Sequence, residues 1–181
     1  GNAAFSSQTL RSQVTLKEAG LFQKGAFEES KLAESRMAIE DYYASKGYID
    51  AKVVDVLKHY VKDEKDQKNY LEITFVVSEG KQWTFGGLVF EGNTVFPTSR
   101  LASLVTLKQG EPLNYKRLLA DKQKVDDLYL ESGYIFNSIE MTQNRDEATG
   151  SISYKVSIVE RDRAHIGSIA FKGNTKTKDY V

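Results

Sequence analysis

Hydrophobic and polar positions alternate along the chain with a period that changes from segment to segment, and these changes predict its elements. Trp83–Phe90 is rich in aromatic and β-branched residues and precedes a Gly-Asn turn signal, so it predicts a strand. Its apolar phase skips at Gly86-Gly87, which indicates a β-bulge. Pro97–Leu104 predicts a short helix with proline in its first turn. A longer helix is then predicted from Asn114 to Ser132, followed by strands over Ile135–Gln143 and Ser151–Glu160.

The first half of the chain predicts the same elements from its own Gly-Asn turn onward. Thr9–Lys17 predicts a short helix, and Glu28–Lys46 predicts a longer one that ends at a glycine. Ile49–Tyr60 and Tyr70–Glu79 then predict a hairpin. The repeated element order is therefore β-α-α-β-β. The residues of the longer helix that we expect to face the core are Leu32, Met37, Ile39 and Tyr43.

Ordered sequence matches between the two halves support a duplicated unit. Gly1-Asn2 recurs 91 positions later, Gly47-Tyr48 recurs 86 positions later, and Trp83–Thr94 matches the segment 81 positions later. The offset changes only in polar connections, where insertions are tolerated. We predict that residues 1–79 are a unit without its own first strand and that 80–162 are a complete unit. Residues 163–181 are predicted to be the first strand and turn of a following unit, as in a piece of a longer array.

Composition then excludes several classes of function. The 181 residues carry 25 Lys+Arg against 25 Asp+Glu, so the net charge of zero disfavours a nucleic-acid partner. The chain has no cysteine and therefore no disulfide or cysteine-ligated zinc. His59 and His165 are isolated and match neither a catalytic triad nor a metal motif. We expect no catalytic residue, no cofactor and no metal.

Glycine pairs and the single tryptophan are the remaining local signals. The Gly-Asn and Gly-Tyr pairs are interpreted as turns, because glycine and asparagine tolerate positive φ. Trp83 lies between the two units and either seals their junction or anchors a partner. The mixed-charge run Lys62–Lys68 is interpreted as a solvated hairpin loop, with a docking loop as the alternative. The expected turn residues are Gly47, Gly92, Asn93, Gly133, Gly173 and Asn174.

The tandem unit resembles the POTRA domain, and its order resembles the periplasmic array of the Omp85 family. The residues that carry the resemblance are Leu88–Phe96, Ile169–Asn174 and the two Gly-Tyr pairs. The resemblance implies an α+β fold of tandem units, each a three-stranded mixed sheet covered on one face by two helices. It also implies a place in the periplasm of a diderm bacterium, below the protein's own C-terminal β-barrel in the outer membrane. The partners that it implies are unfolded outer-membrane proteins and accessory lipoproteins.

The same resemblance places the second strand of each unit at a sheet edge. Unpaired N–H and C=O groups at such an edge can accept an extended chain. We therefore expect a non-enzymatic scaffold for outer-membrane protein assembly that binds its client or an accessory subunit by strand addition. The alternative is a structural spacer or docking array of a related Omp85 secretion or translocation protein, without a client site. The expected contact residues are Ala51, Lys52, Val53, Val54, Asp55, Val56, Asn137, Ser138, Ile139, Glu140 and Met141.

The repeat also predicts a form of self-association. Unit one lacks a first strand, and residues 164–173 are a first strand without a unit. One molecule could therefore supply the strand that another lacks, in a head-to-tail arrangement.

Overall fold

A computed structural model describes residues 2–16, 29–62 and 69–173 of the chain. Most of the predicted Lys62–Lys68 loop, together with Lys17, Glu28 and Asn174, lies outside these residues. In the described parts, no helix has the length and hydropathy needed to cross a membrane. The elements in chain order are α1 (Ser7–Arg11), α2 (Glu29–Ser45), β1 (Lys52–Lys62), β2 (Asn69–Ser78), β3 (Thr84–Glu91), α3 (Thr98–Ser103), α4 (Tyr115–Glu131), β4 (Ser138–Asp146) and β5 (Ser151–Val159).

Side-chain caps and apolar spacing explain where the helices lie. The Ser6 hydroxyl and the Asn114 amide oxygen each accept a backbone N–H of the first turn, which begins α1 and α4. Helix α2 buries Leu32, Ser35, Ile39 and Tyr43, which recur every three to four residues. The expectation that Met37 faces the core is wrong, because its side chain is 64% exposed. Met37 lies two residues from Ile39, on the opposite face of a helix with about 3.6 residues per turn.

The second sheet confirms the predicted α+β arrangement. Its strand order is β3-β5-β4, with β3 parallel and β4 antiparallel to β5. The predicted bulge appears as a register shift between Phe85 and Gly87. The middle strand, β5, has neighbours on both sides and buries all of its core-facing side chains. These are Ile152, Tyr154, Val156 and Ile158, each at most 4% exposed.

The first sheet contains the antiparallel pair β1-β2. In the parts of unit one that the structure describes, no strand lies along the other side of β2. Leu71, Ile73 and Phe75 on β2 remain half-buried, whereas their equivalents on β5 are buried. The difference follows from the number of strands, since a core-facing side chain is covered partly by its neighbours across the sheet.

A glutamate at the end of each unit holds the turn that begins it. The Glu160 carboxylate accepts the backbone N–H groups of Thr94 and Val95 and the hydroxyls of Thr94 and Tyr129. Burial of this carboxyl raises its pKa, but the hydroxyl and backbone donors outweigh burial, so the pKa of Glu160 lies below its ordinary value. The equivalent Glu79 accepts from the N–H groups of Ala3 and Ala4 and from the hydroxyl of Tyr43.

In each unit, a buried polar residue on the longer helix accepts hydrogen bonds from the segment that connects the short helix to it. Asp121 is 1% exposed and accepts the backbone N–H groups of Thr106 and Leu107. Burial raises the pKa of Asp121, but Lys124 and the Thr106 donors lower it more, so the carboxyl stays ionised at neutral pH. In unit one the equivalent Ser35 accepts from the N–H groups of Thr15 and Leu16.

The junction between the units is a backbone hydrogen bond surrounded by side-chain contacts. The carbonyl oxygen of Gly47 accepts the N–H of Trp83 at 2.8 Å. Gly47 has φ +92°, and a Cβ added there would lie 2.6 Å from the carbonyl oxygen of Trp83. The Trp83 indole donates to Asp50 at 2.8 Å, and the Lys81 and Arg145 cations lie over its ring. Trp83 is thereby 2% exposed.

The same backbone bond occurs at the far end of unit two. The carbonyl oxygen of Gly133 accepts the N–H of Ala164 at 2.8 Å, and both residues occupy positions equivalent to those at the first junction. Beyond it, residues 164–173 form neither helix nor strand, so the predicted strand is not formed in the single molecule. The physical reason is that this segment has no neighbouring strand to pair with, and strands form by pairing. Its apolar side chains are exposed, namely Ile166, Ile169 and Phe171.

The Glu160 carboxylate predicts acid sensitivity of unit two. Its pKa is lower in the folded chain than the ordinary 4.5, so its contribution to stability is present above that pH and is lost as the pH falls through the folded pKa. We expect Glu160→Gln to lower the free energy of unfolding at pH 7 by about 2–3 kcal/mol, since hydrogen bonds to a charged group are lost. The difference from the wild type should shrink below pH 4. Urea unfolding at several pH values measures it, with exposed Glu131→Gln as the control. A difference that is constant with pH would contradict the prediction.

The two equivalent glycines provide a test of the junction. Gly47→Ala and Gly133→Ala both place a side chain at positive φ, which costs about 1–2 kcal/mol. Only Gly47→Ala also brings a Cβ against a backbone oxygen; at Gly133 it meets mainly the flexible Arg163 side chain. We therefore expect Gly47→Ala alone to shift the fluorescence of Trp83, the only tryptophan, to longer wavelength as water reaches the junction. Equal shifts in the two variants would contradict this.

Candidate partner-binding edges

The outer edge of β4 is the open edge of the second sheet. β4 pairs with β5 alone, and it contains Ser138, Ile139, Glu140 and Met141 of the predicted contact residues. Among the described residues, no side chain accepts a hydrogen bond from a backbone N–H of β4. Ile139 and Met141 pack against the core, so the available groups are those of the backbone. Asn137 lies just before the strand, where its amide donates to the carbonyl of Tyr134.

The outer edge of β1 is partly occupied by carboxylates. The Val53 N–H donates to Glu40 at 2.9 Å, and the Val56 N–H donates to the side chain of Asp55 at 2.8 Å. The register shifts between Val53 and Asp55, which makes the intervening Val54 a bulge residue. Bulges and charged side chains are the means by which natural sheets protect an edge from further pairing. Two other predicted contact residues lie at the start of this edge: Ala51 is buried before the strand, and Lys52 forms an ion pair with Glu40.

The other edge of the second sheet, along β3, is covered over its first half. The Phe85 N–H donates to the carbonyl of Glu111, and the Phe85 carbonyl accepts the N–H of Gly110. The Trp83 carbonyl accepts the N–H of Leu113, so the connection before α4 runs beside the start of β3. Consequently β4 is the edge of this sheet with the longest run of available backbone groups.

A shallow groove lies beside this edge on the sheet face away from the helices. It has a volume of about 550 Å³ and begins at the β3 bulge. The exposed residues Val89, Thr142, Asn144 and Lys155 contribute to its lining. An extended chain on β4 would place alternate side chains toward this face, because successive residues of a strand point to opposite sides.

The predicted turn residues take the conformations that their types favour. Gly92 has φ +85°, and a Cβ there would lie 2.2 Å from the carbonyl oxygen of Ile158, so only glycine fits. The Asn93 amide donates to the carbonyl of Phe96 and the hydroxyl of Thr98, which holds the turn. Gly47, Gly133 and Gly173 also have positive φ.

The described residues contain no group of three or more side chains suited to hold a metal ion. His59 lies on β1 and His165 beyond unit two, and both are exposed. Trp83 is buried at the junction and presents no open ring face to a partner.

Sequence reasoning missed the polar residues that hold the repeated turns. Glu79 and Glu160 occupy equivalent positions 81 residues apart, so the repeat alignment contains the signal. Asp121 aligns with Ser35, and the change of residue type hides their shared role. The protection of Val53 by Glu40 depends on packing between α2 and β1 and has no local sequence signal.

Comparison with known proteins gives relatives over the whole chain. A protein of Treponema pallidum named "Putative outer membrane protein assembly factor" is 36% identical over 181 residues, covering all of this chain and 22% of that protein. The outer membrane protein assembly factor BamA of Nitratidesulfovibrio vulgaris is 26% identical over 148 residues, which cover 80% of this chain and 18% of that protein. The chain thus spans about a fifth of the length of these relatives.

Solved structures show the same fold. The crystal structure of Haemophilus influenzae BamA POTRA3-5 matches with a TM-score of 0.64 and 22% identity, over 99% of this chain and 70% of that one. The structure of Haemophilus ducreyi BamA lacking POTRA domains 1-3 matches with a TM-score of 0.56 and 22% identity, over 78% of this chain and 25% of that one. The POTRA family model, described as a surface antigen variable number repeat, matches residues 1–80 and 84–161. The chain therefore belongs to the POTRA family and consists of tandem POTRA units homologous to those of BamA.

Proposed function

We propose that this chain is a non-enzymatic scaffold of an outer-membrane protein assembly machine, and that β4 receives an extended segment of a client or accessory protein. The strand would add to the outer edge of the β3-β5-β4 sheet. The single observation that supports this choice is the difference between the two predicted edges. Backbone N–H groups of β1 donate to Glu40 and Asp55, whereas those of β4 donate to no side chain in the described residues.

The homology to outer membrane protein assembly factors supports the class of partner. Unfolded outer-membrane proteins are chains with alternating apolar and polar residues, which form strands once they find a neighbour. A sheet edge recognises such a chain mainly through its backbone, so binding tolerates many sequences. In this proposal the chain works in the periplasm, below a β-barrel that belongs to the same protein and lies in the outer membrane.

Modest affinity follows from the same geometry. An unfolded client loses conformational entropy when it is ordered as a strand, and this cost offsets much of the gain from new hydrogen bonds. We expect dissociation constants of about 0.1–1 mM for an isolated peptide, equivalent to about 4–5.5 kcal/mol. Such affinities suit a module that must release its client to the next step of assembly.

The alternative, a spacer without a client site, is favoured by the closely packed junction. Gly47, Asp50 and Trp83 hold the two units together through backbone and indole hydrogen bonds. A spacer needs this rigidity but does not need the open edge of β4. The two functions are therefore distinguished by changes at β4 that leave the junction untouched.

Proline substitution tests the β4 edge. Neighbouring residues in a strand direct their N–H groups to opposite sides, so one of Ile139→Pro and Glu140→Pro removes an outward N–H and the other removes an inward one. At Ile139 the substitution also removes a side chain that packs against the core. The outward substitution is the one after which the amides of the β4–β5 ladder stay protected from hydrogen exchange. We expect it to weaken binding of a peptide from an outer-membrane β-strand at least tenfold, measured by amide chemical shifts in ¹⁵N NMR.

The matched control is Val54→Pro, at the bulge of β1. We expect it to leave peptide affinity unchanged, and we expect shift changes in the wild type to centre on Ser138–Thr142. If both β4 variants bind as the wild type does while assembly activity of the parent protein persists, the spacer function holds instead.

A further inference from the structure

We propose that Tyr154, with Tyr115 and Gln143 beside it, forms a subsite for one acidic side chain of the strand that adds to β4. The Tyr154 hydroxyl would donate a hydrogen bond to the carboxylate of that residue. This inference rests on the function proposed above, because it names the chemistry of the bound segment at one position. All three residues lie inside unit two.

Tyr154 is a buried tyrosine whose hydroxyl has no partner. Its side chain is 4% exposed, and among the described residues no atom forms a hydrogen bond with the hydroxyl. The other two buried tyrosines of the described chain are paired, since Tyr43 donates to Glu79 and Tyr129 donates to Glu160, each at 2.7 Å. Buried polar groups are hydrogen-bonded in the great majority of native structures, so an unpaired one calls for an explanation.

The fold does not require a hydroxyl at this position. The equivalent residue of unit one, 81 positions earlier, is the apolar Ile73. An apolar side chain in the same frame avoids the cost of burying an unpaired donor. The unit that lacks the hydroxyl is also the one whose edge is protected by Glu40 and Asp55. A polar group that destabilises the free protein and occurs beside the open edge is the pattern expected of a functional position.

Tyr154 lies directly behind the edge of β4. It belongs to the core of unit two, and its Cα partner on β4 is Gln143. Gln143 points to the helix side of the sheet, because it lies two residues from Met141, which packs against that core. The side chain of Gln143 is exposed, so the helix side of the edge is open to solvent here. A strand added to β4 therefore places one of its residues beside Gln143 and in front of Tyr154.

Tyr115, in the first turn of α4, is the exposed neighbour of Tyr154. The two rings lie at 29° to each other with centroids 6.4 Å apart, and Tyr115 is 42% exposed. Phe85, the other ring next to Tyr154, is buried in the core. Exposed side chains change rotamer within nanoseconds, whereas core residues are held by their neighbours. Tyr115 is therefore the group that moves when a bound side chain reaches the hydroxyl.

The charges around the hydroxyl favour an anionic partner. Burial and the neighbouring Tyr115 raise the pKa of Tyr154 to about 12, while the Arg145 cation acts in the opposite direction. The hydroxyl is therefore protonated at neutral pH and is available as a donor. Arg145 is paired with Asp50, so it contributes a positive field without having to contact the ligand. The N-terminus of α4, which begins at Tyr115, adds the positive end of a helix dipole. A carboxylate accepts a hydrogen bond more strongly than a neutral group does.

A peptide series measures the expected preference on the full chain. The host is an alternating threonine and valine peptide of nine residues, the length of β4, and a single glutamate is moved through its positions. At one position we expect glutamate to bind about fivefold more tightly than leucine, with glutamine between them, in ¹⁵N NMR titrations. A nitroxide label next to that glutamate should broaden the amide signal of Gln143 most strongly.

Tyr154→Phe removes the hydroxyl alone, and Tyr129→Phe is its matched control. Because the Tyr154 hydroxyl is unpaired in the free protein, we expect Tyr154→Phe to keep or raise the urea midpoint and to abolish the preference for glutamate. Tyr129→Phe removes a hydroxyl that is bonded to Glu160, so the midpoint should fall while the preference persists.

The outcomes separate the subsite from strand addition itself. A host peptide that does not bind the wild type would overturn both this subsite and the function proposed above. Host binding without a preference for glutamate at any position would overturn the subsite alone. The same follows from an equal preference in Tyr154→Phe, or from a lower urea midpoint of that variant, which would show that the hydroxyl already has a partner.

Discussion

The hydrogen bond between the Gly47 carbonyl and the Trp83 N–H fixes where the second unit begins relative to the first. Strand β3 starts at the next residue, so the position of this bond sets the position of β3 and of the sheet built on it. The bond needs a close approach that only glycine allows, because a Cβ at position 47 would meet the Trp83 carbonyl. The buried indole hydrogen bond to Asp50 then adds a directional contact that excludes water from the junction. A backbone contact of this kind is compatible with many side chains around it. At the equivalent Gly133 the same bond is made by the N–H of Ala164.

The two units keep the same internal frame although much of their sequence differs. Glu79 and Glu160 retain both the residue type and the bonds to the turn. Asp121 and Ser35 retain only the bonds, since an ionised carboxylate in one unit is replaced by a hydroxyl in the other. Both choices satisfy buried backbone N–H groups, which is the requirement that the fold imposes. At this position the two units therefore differ in the side chain that accepts the hydrogen bonds, while the equivalent backbone N–H groups donate in both.

The sequence repeat predicted most of the elements, because each half of the chain indicates the same order of helices and strands. The bulge at Phe85–Gly87 follows the prediction from the apolar phase of the strand, and the strand order β3-β5-β4 is the one that the family resemblance implies. Met37 was misplaced because its helix has weak amphipathic contrast, so that burial depends on which face meets the sheet. Residues 164–173 match β3 in apolar phase but form no strand, because pairing depends on a neighbour and not on the segment alone. For the candidate site, the family resemblance implied two equivalent sheet edges, one in each unit. The contacts that distinguish them, Glu40 to Val53 and Asp55 to Val56, depend on tertiary placement and on a local rotamer.

The parallel pairing of β3 with β5 has a mechanical consequence. The chain enters unit two beside Thr84 and leaves it after Val159, at opposite ends of two parallel neighbouring strands. Tension between these points acts along the strands, so it shears the evenly spaced hydrogen bonds of the ladder together instead of opening them one after another. Thr84 lies opposite Ser151, and Val159 lies eight residues further along β5, so entry and exit are about 26 Å apart. A unit of this topology can therefore transmit a pull along its length while its sheet stays intact.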